Sequence, residues 1–433
     1  MQEIFGSNTI NIRRFKEALT DYARKFDMAI ILNSNSEHFS DRNFLYRKYD
    51  LIAGFIKNPK PEQLITRYDE LYKINKSLKN WYLGYLTYDL KNSIEALHSG
   101  NPDYQKWPPV LFFRPSILIL VRNQTIEIHS ENQEPPPRNI LNDLLSAENQ
   151  YKETFDIKLK PRISKTEYLR HTGKILEHIK RGDIYELNYC QEFYDITKID
   201  PYNVYTTINS NSPAPFSVFL KIHPHYLISA SPERFLKKEN SDIISQPMKG
   251  TSPRSTDTAQ DQKLKIALQT DPKERAENIM ITDLVRNDLS KVASKNSVVV
   301  NELCGVYPFP QVYQMISTIS AQLKPINFAE IIKATFPMGS MTGAPKIKAM
   351  ELIEKYETFK RGIYSGTVGY LAPGMDFDFN VVIRSLQYNT QTSYLSYIAG
   401  SALTALSDTE KEYAECLLKS YAINPLQYPV KYA

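Results

Sequence analysis

The feature that most constrains the fold is the order of apolar runs after about residue 160, which come in blocks rather than in strand–helix–strand alternation. Parallel strands would need a crossover of a dozen or more residues between them, usually a helix. Blocks of strands instead favour antiparallel pairing with separate helices, an α+β fold. The strand-like segments are 216–222, 225–231, 297–303, 364–372, 379–386 and 393–400, and the helix-like segments are 164–180, 272–292, 326–335, 345–357 and 408–421.

The first third of the chain mixes one helical pattern, over 12–26, with short strand-like runs. A proline triplet at 135–137 then interrupts the pattern, and proline continues neither a helix nor a central strand. We therefore expect an N-terminal part over 1–150 and a catalytic region over 160–425, built as one structural unit. The strand-like runs of the first part are 28–32, 81–90 and 116–121.

Composition excludes several classes of protein. The longest apolar stretch, Ile117 to Val121, is far shorter than the ~20 residues of a membrane span. Basic residues number 53 against 48 acidic ones and are spread along the chain, which argues against a nucleic-acid-binding protein. The three cysteines (Cys190, Cys304 and Cys416) have neither zinc-site nor disulfide-framework spacing. With no secretory signal at the start, we expect a cytoplasmic protein without a membrane or nucleic-acid partner.

One predicted helix carries carboxylates on its apolar side. Glu277 precedes Ile281 by four residues and so continues the apolar stripe, with Glu274 one turn earlier. A carboxylate that points into an apolar face is costly unless it is paired or binds a cation. The alternative is an edge glutamate neutralised by a nearby arginine or lysine, such as Arg275 or Arg286.

A second predicted helix repeats this spacing near the C-terminus. Ser407 and Glu410 have the spacing of a capping box, and Glu412 and Glu415 follow on the helix. Two helices that each offer carboxylates beside an apolar face can close on one divalent cation. Magnesium is held by one or two carboxylates, with waters and substrate oxygens completing its octahedron.

Three single residues are candidates for chemistry. Lys249 lies between a proline-led segment and Gly250, in a loop where a lysine is usually solvated. If it were desolvated beside other cations, its pKa would fall and its amine would become a nucleophile. Glu233 follows a strand-like run, a suitable place for a general acid. Arg384 interrupts an apolar strand, so it needs a substrate carboxylate or a structural salt bridge as its partner.

The loop over 339–343 contains two glycines, Gly339 and Gly343, and Pro345 follows it at the start of a predicted helix. Glycines let an anion approach the backbone, and a helix start presents free N–H groups. An anion site and an ordinary helix-start turn both fit this pattern. The residues alone therefore predict an α+β enzyme that acts on a small polyanion with magnesium.

Eight ordered segments resemble the chorismate-utilising enzymes, the family of anthranilate, isochorismate, salicylate and aminodeoxychorismate synthases. The resemblance implies one large α+β fold with two antiparallel sheets packed face to face and helices outside, a four-layer α/β/β/α arrangement. A weaker match, GYLTYDL at 84–90, extends it toward the N-terminus. The eight segments are GDIYELNYCQEF (182–193), SASPERF (229–235), QPMKGT (246–251), ERAENIMITDLVRNDL (274–289), GSMTGAPKIKAMELIE (339–354), YSGTVGY (364–370), VVIRSL (381–386) and AGSALTALSDTEKEYAE (399–415).

Lys249 indicates the branch of this family, because anthranilate and isochorismate synthases carry a small residue there. The chain resembles component I of aminodeoxychorismate synthase, which transfers an amino group to chorismate for 4-aminobenzoate and folate synthesis. The resemblance implies that Lys249 adds at C2 of chorismate while Glu233 protonates the departing C4 hydroxyl. Ammonia then attacks C4 and expels the lysine.

The resemblance also implies the remaining site residues. Glu277 and Glu415 would hold Mg²⁺ on the ring carboxylate, with Glu274 and Glu412 behind them through water. Arg384 and Tyr364 would hold the pyruvyl-ether carboxylate. The residues expected to place backbone and hydroxyl groups against the substrate are Gly250, Thr251, Gly400 and Ala402.

Two positions depart from the family pattern. Gln314 stands where the family often has a histidine associated with loss of pyruvate, which fits an enzyme that stops at aminodeoxychorismate. Ala402 stands where glycine is usual, and its methyl group would crowd the substrate carboxylate.

The expected partners follow from what the sequence lacks. No glutamine amidotransferase segment is present, so we expect ammonia from a separate amidotransferase subunit or from solution, and a separate lyase acting downstream. The rival readings are anthranilate synthase component I, isochorismate synthase and a non-catalytic chorismate-binding protein.

Overall fold

The computed structural model of the protein describes residues 2–6, 10–39, 46–123, 125–131, 135–147 and 157–421. Ten helices lie in these ranges: α1 Ile12–Tyr22, α2 Lys91–Ile94, α3 Pro137–Ser146, α4 Lys165–Lys180, α5 Pro201–Asn211, α6 Thr258–Thr270, α7 Pro272–Ser290, α8 Phe328–Thr335, α9 Lys346–Tyr356 and α10 Thr409–Tyr421. The strands of the same ranges are β1 Gln2–Gly6, β2 Met28–Asn33, β3 Leu51–Ile56, β4 Leu64–Ile65, β5 Tyr82–Leu86, β6 Val110–Phe113, β7 Ile117–Arg122, β8 Thr125–Ser130, β9 Lys160–Pro161, β10 Glu186–Ile196, β11 Phe216–Ile222, β12 His225–Ser231, β13 Arg234–Glu239, β14 Asp242–Gln246, β15 Met248–Pro253, β16 Val299–Pro308, β17 Val312–Gln322, β18 Gly343–Ala344, β19 Thr367–Leu371, β20 Phe377–Asn380, β21 Ser385–Asn389 and β22 Tyr394–Leu403.

The described strands form two large antiparallel sheets. The larger sheet has the order β1-β8-β7-β3-β2-β11-β12-β21-β22-β10-β18, with β9 also paired to β10. The smaller sheet has the order β15-β17-β14-β13-β20-β19-β5-β6-β4, with β16 also paired to β17. Strands from before and after the proline triplet enter both sheets, and Pro137 is the first residue of α3.

The two sheets pack face to face around an apolar core. Leu120 and Val218 of the larger sheet meet Tyr85 and Phe113 of the smaller one in a single buried cluster. The period of two along each strand sends the neighbouring side chains to the opposite face. On the outer face of the larger sheet, its strands pack against α1, α3, α4, α5, α9 and α10.

The outer face of the smaller sheet packs against α7 and α8. Leu289 of α7 and Phe328 of α8 share a buried cluster with Phe235 and Ile319 of that sheet. The molecule therefore has four layers, with helices outside two central sheets, and the expected α+β fold is confirmed. Among the described residues, no helix has the length and apolarity that a membrane crossing requires.

Helix starts follow local side-chain chemistry. The Asp271 carboxylate accepts hydrogen bonds from the backbone N–H groups of Lys273 and Glu274, which fixes the start of α7. The capping box expected at Ser407 is wrong by one residue. The Asp408 carboxylate accepts from the N–H groups at the start of α10, whereas the Ser407 hydroxyl accepts from the backbone of Thr404.

The predicted strand over 379–386 is wrong as a single element. Its first residues belong to β20 of the smaller sheet, and its last belong to β21 of the larger sheet. Between them the chain crosses from one sheet to the other, and Arg384 adopts a left-handed backbone with φ of 50°. Apolar side chains continue through the crossing because both ends are buried, so the sequence shows no break.

A second crossing lies beside the first. After β12 of the larger sheet, the chain passes through Ser231 and Glu233 into β13 of the smaller sheet. The N–H of Val381 donates to the Glu233 carbonyl at 3.0 Å, and the Ser231 hydroxyl donates to the Val381 carbonyl at 2.6 Å. The two crossings thus hold each other in register where the sheets meet.

Most other predicted segments match the observed elements within a few residues. The expected strand over 364–372 begins later, at Thr367, because a turn precedes it with Ser365 at φ 60°. The expected strand over 297–303 begins at Val299 and runs on to Pro308. All three cysteines are buried and carry free thiols.

Candidate active site

A cavity of about 450 Å³ opens where the two crossings meet α7, α10 and β22, a volume typical of small-molecule sites. Every residue that the family resemblance assigned to the site lines this cavity. Their roles stay predictions, but their convergence from seven segments of the chain is a structural fact. The lining residues of this set are Glu233, Lys249, Gly250, Thr251, Glu274, Glu277, Tyr364, Arg384, Gly400, Ala402, Glu412 and Glu415.

Glu233 is a buried acid on one wall of the cavity. Its side chain is almost fully enclosed, and its Oε1 accepts a hydrogen bond from the Ser340 hydroxyl at 2.7 Å. Burial raises the pKa of Glu233 to about 7, although Ser340 and the charge of Lys249 oppose that rise. A carboxyl group that titrates near neutrality can deliver a proton to a leaving group.

Lys249 is mostly buried, so the alternative of an ordinary solvated loop lysine is wrong. It lies on β15 with a side chain only 11% exposed, and its Nζ is 2.8 Å from Glu186 Oε1. Burial acts to lower the pKa of Lys249, but Glu186, Glu277 and Glu233 outweigh burial and the pKa is raised. The charges that face Lys249 are carboxylates rather than cations, so the condition for a lowered pKa is not met and the resting side chain is an ammonium.

The two predicted pairs of carboxylates do converge. Lys273 Nζ lies 3.8 Å from Glu277 on its own helix and 3.7 Å from Glu412 on α10, so it bridges the two helices. Glu274 lies over Gly250, and burial raises the pKa of this carboxyl. Arg275 and Arg286 bond elsewhere, and the basic residue that lies near Glu277, as the alternative of a neutralised edge glutamate required, is Lys273.

Glu415 is the most exposed of the four cavity-lining carboxylates on α7 and α10. Its carboxylate is half exposed and pairs with Lys419 at 2.6 Å. Burial acts to raise the pKa of Glu415, but Lys419 outweighs it and the pKa is lowered.

The donor set fits a hard divalent cation. Glu277 Oε1 is buried without a hydrogen-bond partner among the described residues, and burial raises the pKa of Glu277 to about 7 against the pull of Lys249 and Lys273. No group of three or more acidic, histidine or cysteine side chains in the described part of the chain converges tightly enough to hold a metal alone. Magnesium needs only one or two carboxylates when substrate and water supply the other oxygens, so the residues fit it.

Arg384 supplies a positive charge to the cavity wall. It has no carboxylate partner among the described residues, so the structural salt bridge considered as its alternative is absent there. The other basic side chains on the cavity wall, Lys249, Lys273 and Lys419, each contact a carboxylate. Arg384 also keeps an unusual left-handed backbone, which for a bulky residue persists only where surrounding contacts enforce it. It can bind the carboxylate of a ligand.

Close packing shapes the wall beside Arg384. A Cβ at Gly400 would lie 2.5 Å from Cys190 Sγ and 2.8 Å from the Tyr189 carbonyl, so only glycine fits. Tyr364 is buried with its hydroxyl 3.9 Å from Cys190 Sγ. Ala402 places its methyl group on the same strand, where the effect of that methyl on a ligand remains a prediction.

Gln314 occupies the position of the expected histidine and lines the cavity. Its Oε1 accepts a hydrogen bond from the Thr251 hydroxyl at 3.1 Å. Gln314 thereby holds the Thr251 side chain, and a neutral amide stands where a histidine would offer a titratable ring.

The glycine loop does not form an anion site. A Cβ at Gly339 would lie 2.5 Å from the Leu284 side chain, and one at Gly343 would collide with the Glu186 carbonyl. The space that glycine leaves is filled by protein, so the ordinary-turn alternative holds. The loop serves the cavity through Ser340 and by fixing the backbone of Glu186.

Sequence reasoning missed three residues of the site. Glu186 lies inside one of the quoted motifs and Lys273 directly precedes another, but the position of a charged residue does not reveal which side chain it faces. Ser340 is 107 positions from its partner Glu233, so no local pattern could pair them.

Comparisons with known proteins agree with this geometry. The family model for chorismate binding enzymes matches residues 20–425. The chain is 33% identical over 364 residues to aminodeoxychorismate synthase component 1 of Escherichia coli K12, covering 82% of this chain and 79% of that protein. It is 30% identical over 380 residues to anthranilate synthase component 1 of Saccharolobus solfataricus, covering 85% and 87%.

Solved structures share the fold. Anthranilate synthase component I from Streptococcus pneumoniae superposes with a TM-score of 0.75 at 23% identity, over 98% of this chain and 92% of that one. The menaquinone-specific isochorismate synthase of Escherichia coli gives 0.76 at 14% identity, over 99% and 94%. The match to the family model over nearly the whole chain decides membership: the chain belongs to the family of chorismate-binding enzymes.

Proposed function

We propose that this chain is an amino-group transferase that aminates chorismate at C4, the reaction of the aminodeoxychorismate synthases to which it is similar. The observation that carries the proposal is the presence of Lys249 and Glu233 in one cavity. A buried amine and a buried acid with a pKa of about 7 supply the nucleophile and the proton donor of a double displacement.

The first displacement joins the lysine to the ring. The neutral amine of Lys249 attacks C2, the two ring double bonds shift, and the C4 hydroxyl leaves as water with the proton of Glu233. In the second displacement ammonia attacks C4, the double bonds shift back, and the lysine leaves as an amine. The C4 ammonium returns a proton to Glu233, so chorismate and ammonia give 4-amino-4-deoxychorismate and water.

Binding positions chorismate for both displacements. Arg384 and Tyr364 hold the pyruvyl-ether carboxylate, and Gly250, Thr251 and the strand of Gly400 close around the ring. Glu277 and Glu415 would hold magnesium, with Glu274 and Glu412 behind them. When bound, the ion neutralises the ring carboxylate and spreads the charge that develops as the ring reacts.

Ammonia comes from a glutamine amidotransferase subunit in this proposal, and a separate lyase converts the product to 4-aminobenzoate. The designation "component 1" of the relatives supports a second subunit. We place the reaction in the cytoplasm, in keeping with three buried free thiols.

A product assay tests the proposal. The protein is given chorismate, magnesium and an ammonium salt, with and without added aminodeoxychorismate lyase. Lyase-dependent 4-aminobenzoate is the expected product. The similarity to anthranilate synthases makes fluorescent anthranilate, formed without the lyase, the result that would replace this function with its rival.

Lys249→Ala is the decisive variant of that assay, and Lys346→Ala is its matched control. Lys346 is a buried lysine of similar exposure that pairs with Asp288 at 2.7 Å, outside the cavity. We expect Lys249→Ala to lose at least about 10²-fold in turnover, since it removes the nucleophile, while Lys346→Ala stays active. Equal activity in Lys249→Ala and the wild type would contradict the covalent route.

A further inference from the structure

We propose that Glu186 is the base that takes the proton from Lys249, so that the two side chains act as one proton-sharing unit. The inference rests on the proposed function, because it concerns the amine that attacks C2. It adds a residue to the chemistry beyond the roles that the resemblance implies and beyond the carboxylates of the metal group.

The contact is direct and enclosed. Lys249 Nζ and Glu186 Oε1 are 2.8 Å apart, and the Glu186 side chain has no solvent exposure. Glu186 does not line the cavity, whereas Lys249 does, so the lysine lies between the carboxylate and the cavity. A proton that passes from Lys249 to Glu186 therefore moves away from the ligand and needs no water.

The second oxygen of Glu186 is free to hold that proton. Oε2 is buried and has no hydrogen-bond partner among the described residues. A buried carboxylate oxygen without a donor is costly, and protonation of the group removes the charge that makes it so. The arrangement thus favours transfer of the proton from Lys249 to Glu186 once a bound ligand changes the charge around Lys249.

The backbone of Glu186 is fixed with little freedom. Glu186 pairs with Ala344 in the larger sheet, and the Tyr185 N–H donates to the Ala344 carbonyl at 2.7 Å. Gly343 packs so closely on the Glu186 carbonyl that no side chain fits there. The segment places the carboxylate as a rigid element of the site rather than as a mobile counter-ion.

The attack on C2 requires such a base. Carboxylates from several elements face Lys249: Glu186 on β10, Glu277 on α7 and Glu233 at the crossing, with Glu274 and Glu415 at longer range. All of them favour the charged lysine, so the resting side chain is an ammonium with no lone pair. Chemistry begins only after that proton has left.

Glu186 is the carboxylate suited to receive it. Of the described carboxylates, it alone lies within hydrogen-bond distance of Nζ. Glu233 must start each cycle protonated as the acid, and Glu277 faces Lys273 and the cation site.

The proton transfers balance over one catalytic cycle. Lys249 ammonium and Glu186 carboxylate become amine and carboxylic acid, the amine bonds to C2, and Glu233 protonates the leaving hydroxyl. When ammonia expels the lysine as an amine, Glu186 returns its proton and the pair is restored. The unit neither gains nor loses a proton over the cycle.

The test compares pH profiles of kcat for the wild type and Glu186→Gln, with ammonium salt as the nitrogen source. The wild-type pair reacts without releasing a proton to solvent. The variant must release the Lys249 proton to solvent before attack, so the ratio of its kcat to the wild-type kcat should rise about 10-fold per pH unit. At pH 7 we expect the variant to be slower by about 10²-fold, the lower range for loss of a general base.

Taking the ratio removes the alkaline fall caused by Glu233, which both proteins share. A purely positional role for Glu186 predicts a ratio that does not change with pH, and that outcome would overturn the inference. Glu186→Asp keeps a carboxylate on a shorter arm, so it should be slow but should keep the wild-type profile shape. An Asp variant with the profile of Glu186→Gln would also overturn it.

Glu192→Gln is the matched control. Glu192 is a buried carboxylate on the same strand that pairs with Arg162, six residues and about 20 Å away from Glu186 along an extended strand. The ratio of the kcat of Glu192→Gln to the wild-type kcat should not change with pH. Failure of the proposed function looks different, since the wild type itself would then form no aminodeoxychorismate.

Discussion

The Ser340 hydroxyl donates a hydrogen bond to Glu233 Oε1 at 2.7 Å, across 107 positions of sequence. Burial raises the pKa of Glu233 to about 7, and this bond pulls in the opposite direction because it favours the carboxylate. Ser340 therefore lowers the pH up to which Glu233 stays protonated.

Ser340→Ala should move the alkaline limb of kcat to higher pH. Glu233 acts in its protonated form, so wild-type activity is present below a pKa of about 7 and is lost as the pH rises through it. Without the serine the pKa rises further, and the acid form persists at higher pH. A neutral hydrogen bond contributes about 0.5–1.5 kcal/mol, so kcat below pH 6 should stay within about 10-fold of the wild type.

The pH profile of kcat at saturating chorismate checks this prediction. A limb that stays in place or moves to lower pH would show that Ser340 does not tune Glu233. Ser290→Ala serves as the control, because Ser290 ends α7 on the surface and its hydroxyl donates only to a backbone carbonyl of its own helix.

Much of the cavity wall was predictable because its residues lie in short motifs with unusual chemistry. Glu277 on an apolar helical stripe and Arg384 in an apolar run both need a partner, which is a signal that one sequence can show. Partners themselves were not predictable, since Glu186 on β10 of the larger sheet and Lys249 on β15 of the smaller sheet meet only where the fold brings the two sheets together. The crossing at Arg384 was missed because burial continues on both sides while the chain changes sheets.

Arg384→Lys should weaken chorismate binding far more than it slows turnover. The positive charge remains, but the planar guanidinium group, which donates two N–H groups to one carboxylate, is lost. Hydrogen bonds to charged groups contribute about 1.5–3 kcal/mol, so we expect KM for chorismate to rise by about 10- to 100-fold. Steady-state kinetics measure this, and an unchanged KM would show that Arg384 does not contact the substrate.

Lys273→Met should bind Mg²⁺ more tightly than the wild type. The Lys273 ammonium lies 3.8 Å from Glu277 and 3.7 Å from Glu412, so it competes with a cation for the same carboxylates. A partly exposed ion pair is worth up to about 1 kcal/mol, which corresponds to a gain in affinity of about 5-fold. The MgCl₂ concentration that gives half-maximal activity at a fixed chorismate concentration measures it.

Lys291→Met provides the control for Lys273→Met. Lys291 is half exposed and pairs with Asp288 at the far end of α7, so its removal should leave magnesium affinity unchanged. Weaker binding by Lys273→Met would mean that the lysine supports the cation site instead of competing with it.

Gly400→Ala should destabilise the fold by about 1–3 kcal/mol, the usual cost of overpacking a buried site. Its new methyl group would lie 2.5 Å from Cys190 Sγ and 2.8 Å from the Tyr189 carbonyl, and both belong to the neighbouring strand β10. Because β10 also begins with Glu186, strain at this point should reduce turnover as well as stability. Gly173→Ala on α4 meets nothing within 4 Å, so it should be neutral or slightly stabilising. Urea unfolding of both variants compares them, and equal stabilities would show that β22 can shift away from β10 without cost.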